Sequence, residues 1–85
     1  MQTVTIYTRP LCGYCARALA LLNKKGAVVN EIRAGFDKEK RQEMIRRSNG
    51  ASTFPQIFIG DTHVGGSDEL AALERDGKLD ALLNG

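Results

Sequence analysis

The only two cysteines of the 85-residue chain, Cys12 and Cys15, stand at the junction between a strand-like run and a helix-forming one, and that junction constrains the rest of the fold. Val4-Thr5-Ile6-Tyr7 is β-branched and aromatic, Pro10 interrupts it, and Ala16 to Leu22 carries helix-forming residues. Cys12 is therefore expected at a helix N-terminus, where the dipole and unpaired backbone N–H groups favour a thiolate. Cys15, one turn further on, is placed to close a disulfide with it. Arg9 adds a nearby fixed positive charge. Only a thiolate is nucleophilic, and an unperturbed thiol with a pKa of about 8.5 is only a few per cent ionised at neutral pH. The spacing thus points to redox chemistry in which one sulfur attacks and the other resolves. An inert disulfide and half of a zinc site are the alternatives. A tetrahedral zinc site needs four ligands, and the only other soft ligand is His63.

A chain of this length is expected to form one domain, residues 1–85, with a single small core and a single site. The formal net charge is +2, with acidic residues interleaved among the Lys and Arg, so nucleic-acid binding is not indicated. The charged run from Asp37 to Glu43 reads as the solvated face of a helix. No membrane-length apolar run and no secretory leader pattern is present, so the expectation is a cytoplasmic protein without a membrane partner. In that compartment a CxxC pair is more often catalytic than structural.

Gly26 should end the first helix after Lys24 and Lys25, and the apolar stripe of that helix runs through Ala18, Leu19 and Leu22, widened by Leu21. Ala27 to Ile32 reads as a strand. Asp37 can cap a helix reaching about Arg47, which Ser48-Asn49-Gly50 breaks. Pro55 to Ile59 and Thr62 to Val64 read as strands around a Gly60-Asp61 hairpin turn. A third helix starts at Ser67 or Asp68, and Leu79 to Leu83 closes the chain with a short helix. The order β-α-β-α-β-β-α plus a short C-terminal helix predicts an α/β fold, a four-stranded mixed sheet flanked by helices. Ligands of such sheets gather beyond the carboxyl ends of the parallel strands, where the Cys12 loop must lie.

Four motifs in order, Tyr7-Thr8-Arg9, Cys12-Gly13-Tyr14-Cys15, Thr53-Phe54-Pro55 and Gly65-Gly66-Ser67-Asp68, give the chain a near full-length resemblance to the bacterial dithiol glutaredoxins. The resemblance implies a thioredoxin-like fold, glutathione as reductant with no obligatory metal, and glutathionylated or disulfide-containing proteins as partners of a monomer. It also implies a cis Phe54–Pro55 bond beside the cysteine pair. The backbone of Phe54, with Thr53 and Pro55, would pair with the cysteinyl part of glutathione in the manner of an added strand. Gly66, Ser67 and Asp68 would take the γ-glutamyl end: helix-start N–H groups for the carboxylate and the Asp68 side chain for the ammonium group. An ordinary N-cap is the plainer reading of Ser67-Asp68, and the two are compatible. Arg9 stands where the family commonly has Lys and suits the glycyl carboxylate, with Arg41 a second candidate. Tyr14 would line the site.

The chain departs from the family at three places. Phe54 replaces a small β-branched residue, which changes the side chain over the site. Ser67 stands where many bacterial members have a cysteine. Gly13 replaces the usual active-site proline, and family members lacking that proline include some that hold an iron–sulfur cluster between two subunits; Cys12 would be its ligand here. His63 is expected at the surface of the hairpin. The function implied is a glutathione-dependent thiol-disulfide oxidoreductase working through Cys12 and Cys15, with a cluster-bridged dimer or a thioredoxin-reductase-coupled redoxin as alternatives.

Overall fold

The computed structural model describes residues 1–85. Its first strand, β1 (Thr3–Thr8), alternates its side chains between two faces: Val4 and Ile6 point to one and Tyr7 to the other. Helix α1 (Gly13–Lys24) follows and gives way at Gly26, whose φ of +70° is a backbone shape that costs glycine little. Strand β2 (Val28–Arg33) then pairs parallel with β1. Asp37 caps α2 (Lys38–Arg47), its Oδ1 accepting from the Lys40 N–H at 3.1 Å. Strands β3 (Gln56–Ile59) and β4 (Thr62–Gly65) form an antiparallel hairpin through Gly60, and β3 also runs antiparallel to β1. Helices α3 (Ser67–Arg75) and α4 (Leu79–Asn84) complete the chain. The sheet order is β2-β1-β3-β4, a mixed four-stranded sheet as the sequence predicts. Some bounds shift: Ala27 and Pro55 lie just outside their expected strands, while Arg33 and Gly65 extend theirs.

Each face of the sheet carries its own apolar cluster. Val4, Ile6, Ile57 and Ile59 pack against Ala18 and Leu22 of α1, Leu70 of α3, and Leu79 and Leu83 of α4. On the opposite face Tyr7 and Phe58 meet Ala34 and Met44 under α2. The Tyr7 hydroxyl donates to Glu43 Oε2 at 2.6 Å and accepts from Arg47 Nη1 at 2.8 Å, tying β1 to α2. Burial, and after it the Glu43 hydrogen bond, raise the pKa of this phenol. No helix is long and apolar enough to cross a membrane.

The register decides where the distant motifs meet. Tyr7, near the end of β1, lies opposite Gln56, the first residue of β3, so Phe54–Pro55 is carried to the end of β1 from which the cysteine loop departs. Gly65, the last residue of β4, lies opposite Ile57, which brings Gly66 and Ser67 to the same end of the sheet.

Candidate active site

Between β1 and α1 the chain turns through Leu11, whose φ is +54°, and Cys12 takes the N-cap position of α1 with extended backbone angles of −109° and 105°. The Cys15 N–H donates to Cys12 Sγ at 3.2 Å, so the first sulfur occupies the place an N-cap oxygen would fill. Sulfur in that position faces the positive end of the helix dipole. Both cysteines are free thiols and both are largely buried, Cys12 at 8% exposure and Cys15 at 3%. Burial, and after it the hydrogen bond with Cys12, push the Cys15 thiol up to about 11, while a hydrogen bond with the Arg9 backbone and the Arg9 charge pull the other way. Cys15 is thus held as a thiol at neutral pH.

Beside the cysteines the chain forms two hollows separated by the first turn of α1. The first is a cleft of about 160 Å³ lined by Tyr14, Thr53, Phe54, Pro55, Gly66, Ser67, Asp68 and Glu69. Three of the four sequence motifs therefore converge here. The Phe54–Pro55 bond is cis, and a Cβ added at Gly66 would stand 3.4 Å from the Pro55 carbonyl oxygen. That proximity shows how closely the cis-proline loop and the α3 N-terminus approach. Gly65 has φ +117°, and a Cβ there would come within 2.7 Å of Glu69 Oε1, so this turn admits only glycine without rearrangement. The second hollow, about 420 Å³, holds Cys12 and Cys15 with Thr8, Arg9, Leu11 and Glu31 among its walls. Leu11 and Tyr14 are exposed and give the cysteine pair an apolar rim.

Of the predicted site residues, Tyr14, Thr53, Phe54, Pro55, Gly66, Ser67 and Asp68 share the cleft. Arg9 lies in the cysteine hollow, exposed, its Nη1 3.4 Å from the Pro10 carbonyl oxygen. Arg41 belongs to neither: its Nη2 donates to the Gly35 carbonyl at 2.7 Å, in a separate hollow lined also by Phe36 and Ile45. Phe54 is half-buried and packs against the Tyr7, Met44 and Phe58 cluster, so its bulk is shared between core and cleft, where the sequence suggested a side chain over the site. His63 is on the exposed face of the hairpin, as expected, yet its ring stacks on Phe58 at 4.8 Å and its Nε2 contacts Gln56 Oε1 at 2.7 Å. Sequence reasoning missed Glu69, whose Oε1 accepts from the Gly66 N–H at 2.7 Å. Its position three residues after the N-cap, the spacing of a capping box, is the mark that could have found it.

A mixed sheet with a CxxC pair at a helix N-terminus, and a cis-proline loop beside it, defines a thiol-disulfide oxidoreductase of the thioredoxin-like class. Within that class the chain belongs to the glutaredoxin family, whose model matches residues 4–64. It is 54% identical over 84 residues to a glutaredoxin of Pseudomonas aeruginosa, covering 99% of each chain. The solution structure of a Brucella melitensis glutaredoxin superposes with a TM-score of 0.84 at 63% identity, covering 98% of this chain and 89% of that one. A buckwheat glutaredoxin–glutathione complex superposes with a TM-score of 0.85 at 30% identity, covering 95% of this chain and 76% of that one.

Proposed function

We propose that the protein is a glutathione-dependent oxidoreductase that reduces protein–glutathione mixed disulfides, with Cys12 as nucleophile and Cys15 as resolving thiol. The observation that carries this reading is the cleft itself, in which the cis-proline loop and the α3 N-terminus come together beside the helix that starts at Cys12. The cleft matches the chemistry of the tripeptide. The Phe54 backbone offers strand-like hydrogen bonding to the cysteinyl residue. The start of α3 offers N–H donors to the γ-glutamyl carboxylate, and exposed Asp68 offers a partner for the adjacent ammonium group. Arg9 is the cation available to the glycyl carboxylate, whereas Arg41 would first have to leave the Gly35 carbonyl. The solved complex of a buckwheat relative with glutathione supports the choice of ligand.

The Cys12 thiolate attacks the glutathione sulfur of the mixed disulfide; a Cys12–glutathione disulfide forms, and the protein leaves as a thiolate that takes up a proton. A second glutathione thiolate then attacks the bound glutathione sulfur, giving glutathione disulfide and restoring the Cys12 thiolate. Alternatively Cys15 loses its proton and attacks Cys12 Sγ, releasing glutathione and leaving a Cys12–Cys15 disulfide. Comparing turnover driven by glutathione with turnover driven by thioredoxin reductase tests the reading. Substantial activity with glutathione is the expected result, and activity with the reductase alone would overturn it.

A further inference from the structure

Behind the cleft a buried amide sets the polarity of one of its walls. Gln56, 3% exposed, donates from Nε2 to both the Thr53 carbonyl oxygen and Thr53 Oγ1, each at 3.1 Å. A backbone carbonyl can only accept, so the nitrogen end of the Gln56 amide must face Thr53 and the oxygen end must face away. That oxygen lies 2.7 Å from His63 Nε2, which must therefore carry a proton, as it does in one neutral tautomer and in the imidazolium alike. Stacking of the His63 ring on Phe58 at 4.8 Å fixes the ring for this role. The consequence falls on Thr53. With its Oγ1 accepting from Gln56, the hydroxyl proton of Thr53 is left to point elsewhere, and Thr53 lines the cleft.

We propose that His63 and Gln56 are positioning residues that hold Thr53 as a hydrogen-bond donor to the cleft, selecting an acceptor oxygen of the bound tripeptide. The inference rests on the reading of the cleft as the glutathione site and adds to it the sense of one hydrogen bond and the two residues that impose it. Neither residue touches the reacting sulfurs, so their contribution is to substrate binding and not to the attack.

The test is steady-state kinetics with a glutathionylated peptide, accompanied by thermal melts. Gln56→Glu keeps the shape of the side chain but presents only acceptors to Thr53, so it draws the hydroxyl proton back from the cleft. It is expected to raise KM about five- to tenfold with kcat within about twofold, the scale of one lost hydrogen bond in a partly solvated site. Thr53→Val should raise KM similarly and Thr53→Ser should restore it. The double variant Gln56→Glu with Thr53→Val should be no worse than Thr53→Val alone, because both act on one hydroxyl. His63→Ala should give a smaller rise that His63→Gln, which keeps a donor, reverses; this pair carries the test if Gln56→Glu fails to fold. An unchanged KM in the Gln56 and His63 variants, or additive effects in the double variant, overturns the relay. Asp68→Ala separates the two levels of the argument. If it raises KM while Gln56→Glu does not, only the relay is wrong, and if neither does, the glutathione reading of the cleft fails with it.

Discussion

Resolution of the Cys12–glutathione intermediate by Cys15 should be slow at neutral pH and should accelerate steeply with alkalinity. Burial comes first among the causes that push the Cys15 thiol from 9.0 to about 11 in the reduced pair; the Cys12 hydrogen bond and charge that follow it are lost on glutathionylation, so about 11 is the upper bound for the adduct. At pH 7 a thiol with a pKa of about 11 is ionised to about 1 part in 10⁴, against about 1 in 10² for one at about 9. The more basic thiolate is also more nucleophilic, by about eightfold for two units at a Brønsted coefficient of about 0.45. The net effect is an attack up to about tenfold slower than that of an unperturbed thiol in the same position. The assay is rapid-quench release of glutathione from the preformed Cys12–glutathione adduct, without free glutathione, across pH 7 to 11, with the adduct of Cys15→Ser as the blank. The rate should still be climbing about tenfold per pH unit at about pH 9 and level off above it, at or below about 11, following the thiolate population. A profile that levels off by about pH 9 would show that Cys15 is not held protonated by its surroundings, and the division of labour drawn from its burial would be wrong.

Cys12→Ser is expected to abolish deglutathionylation while Cys15→Ser retains much of it, since a second glutathione can replace the slow resolving thiol; equal losses in well-folded variants would contradict the assigned roles. Asp68→Ala should raise KM for a glutathionylated peptide more than it lowers kcat, toward or below the low end of the about 1.5–3 kcal/mol of a charged hydrogen bond because Asp68 is exposed. A fall in melting temperature with KM unchanged would leave Asp68 only a first-turn acidic residue that favours the α3 dipole, since the N-cap is Gly66 and not Ser67 or Asp68. Gly35→Ala would set a methyl group 2.6 Å from Arg9 Cβ and 2.8 Å from Pro10 Cδ, so it should cost about 1–3 kcal/mol in denaturant titrations and lower activity by shifting the loop into Cys12; full stability would refute the close packing of that loop. Because the folded-state pKa of Cys15 is raised, the reduced protein binds that proton more tightly than the unfolded chain does. The associated stability is complete below about pH 9 and is lost toward about pH 11, so wild type should lose on the order of 2 kcal/mol relative to Cys15→Ala over that interval, and parallel pH curves for the two would count against it.

The elements of this fold were legible because each carries its own punctuation. Asp37 caps α2, Gly26 ends the first helical segment with a positive φ, and the β-branched run before Pro10 can hardly be anything but a strand. Cys12 was legible for the same reason, since its role depends on a local junction. The cleft beside the first turn of α1 was legible only through the family pattern, because the order in which strands lie side by side is a long-range fact. Nothing local to Thr53-Phe54-Pro55 says that β3 pairs with β1 and not with β4 alone. The Gln56–His63 contact was out of reach for a sharper reason. An irregularity in the ladder at Ile57 and Phe58 offsets the hairpin register, and an offset of one residue decides which side chains share a face.

Arg41 and Phe54 show how packing redirects residues that a motif assigns to a site. On sequence both were candidates for contact with the tripeptide, one as a cation and one through its backbone, with an unusual side chain over the site. The guanidinium of Arg41 instead closes the loop before α2 by donating to the Gly35 carbonyl, and Gly35 itself lies against Arg9 and Pro10. Arg41 thereby supports the segment that leads into Cys12 without facing the cleft. Phe54 packs part of its ring on the Tyr7, Met44 and Phe58 cluster, adding apolar burial on the α2 face. Phe54 also lines the cleft, where the contact proposed for the cysteinyl residue of glutathione uses main-chain atoms and tolerates any side chain that this core can hold. The departure from a small β-branched residue is therefore accommodated in part on the side of the loop that faces the core, and the cleft stays open beside it.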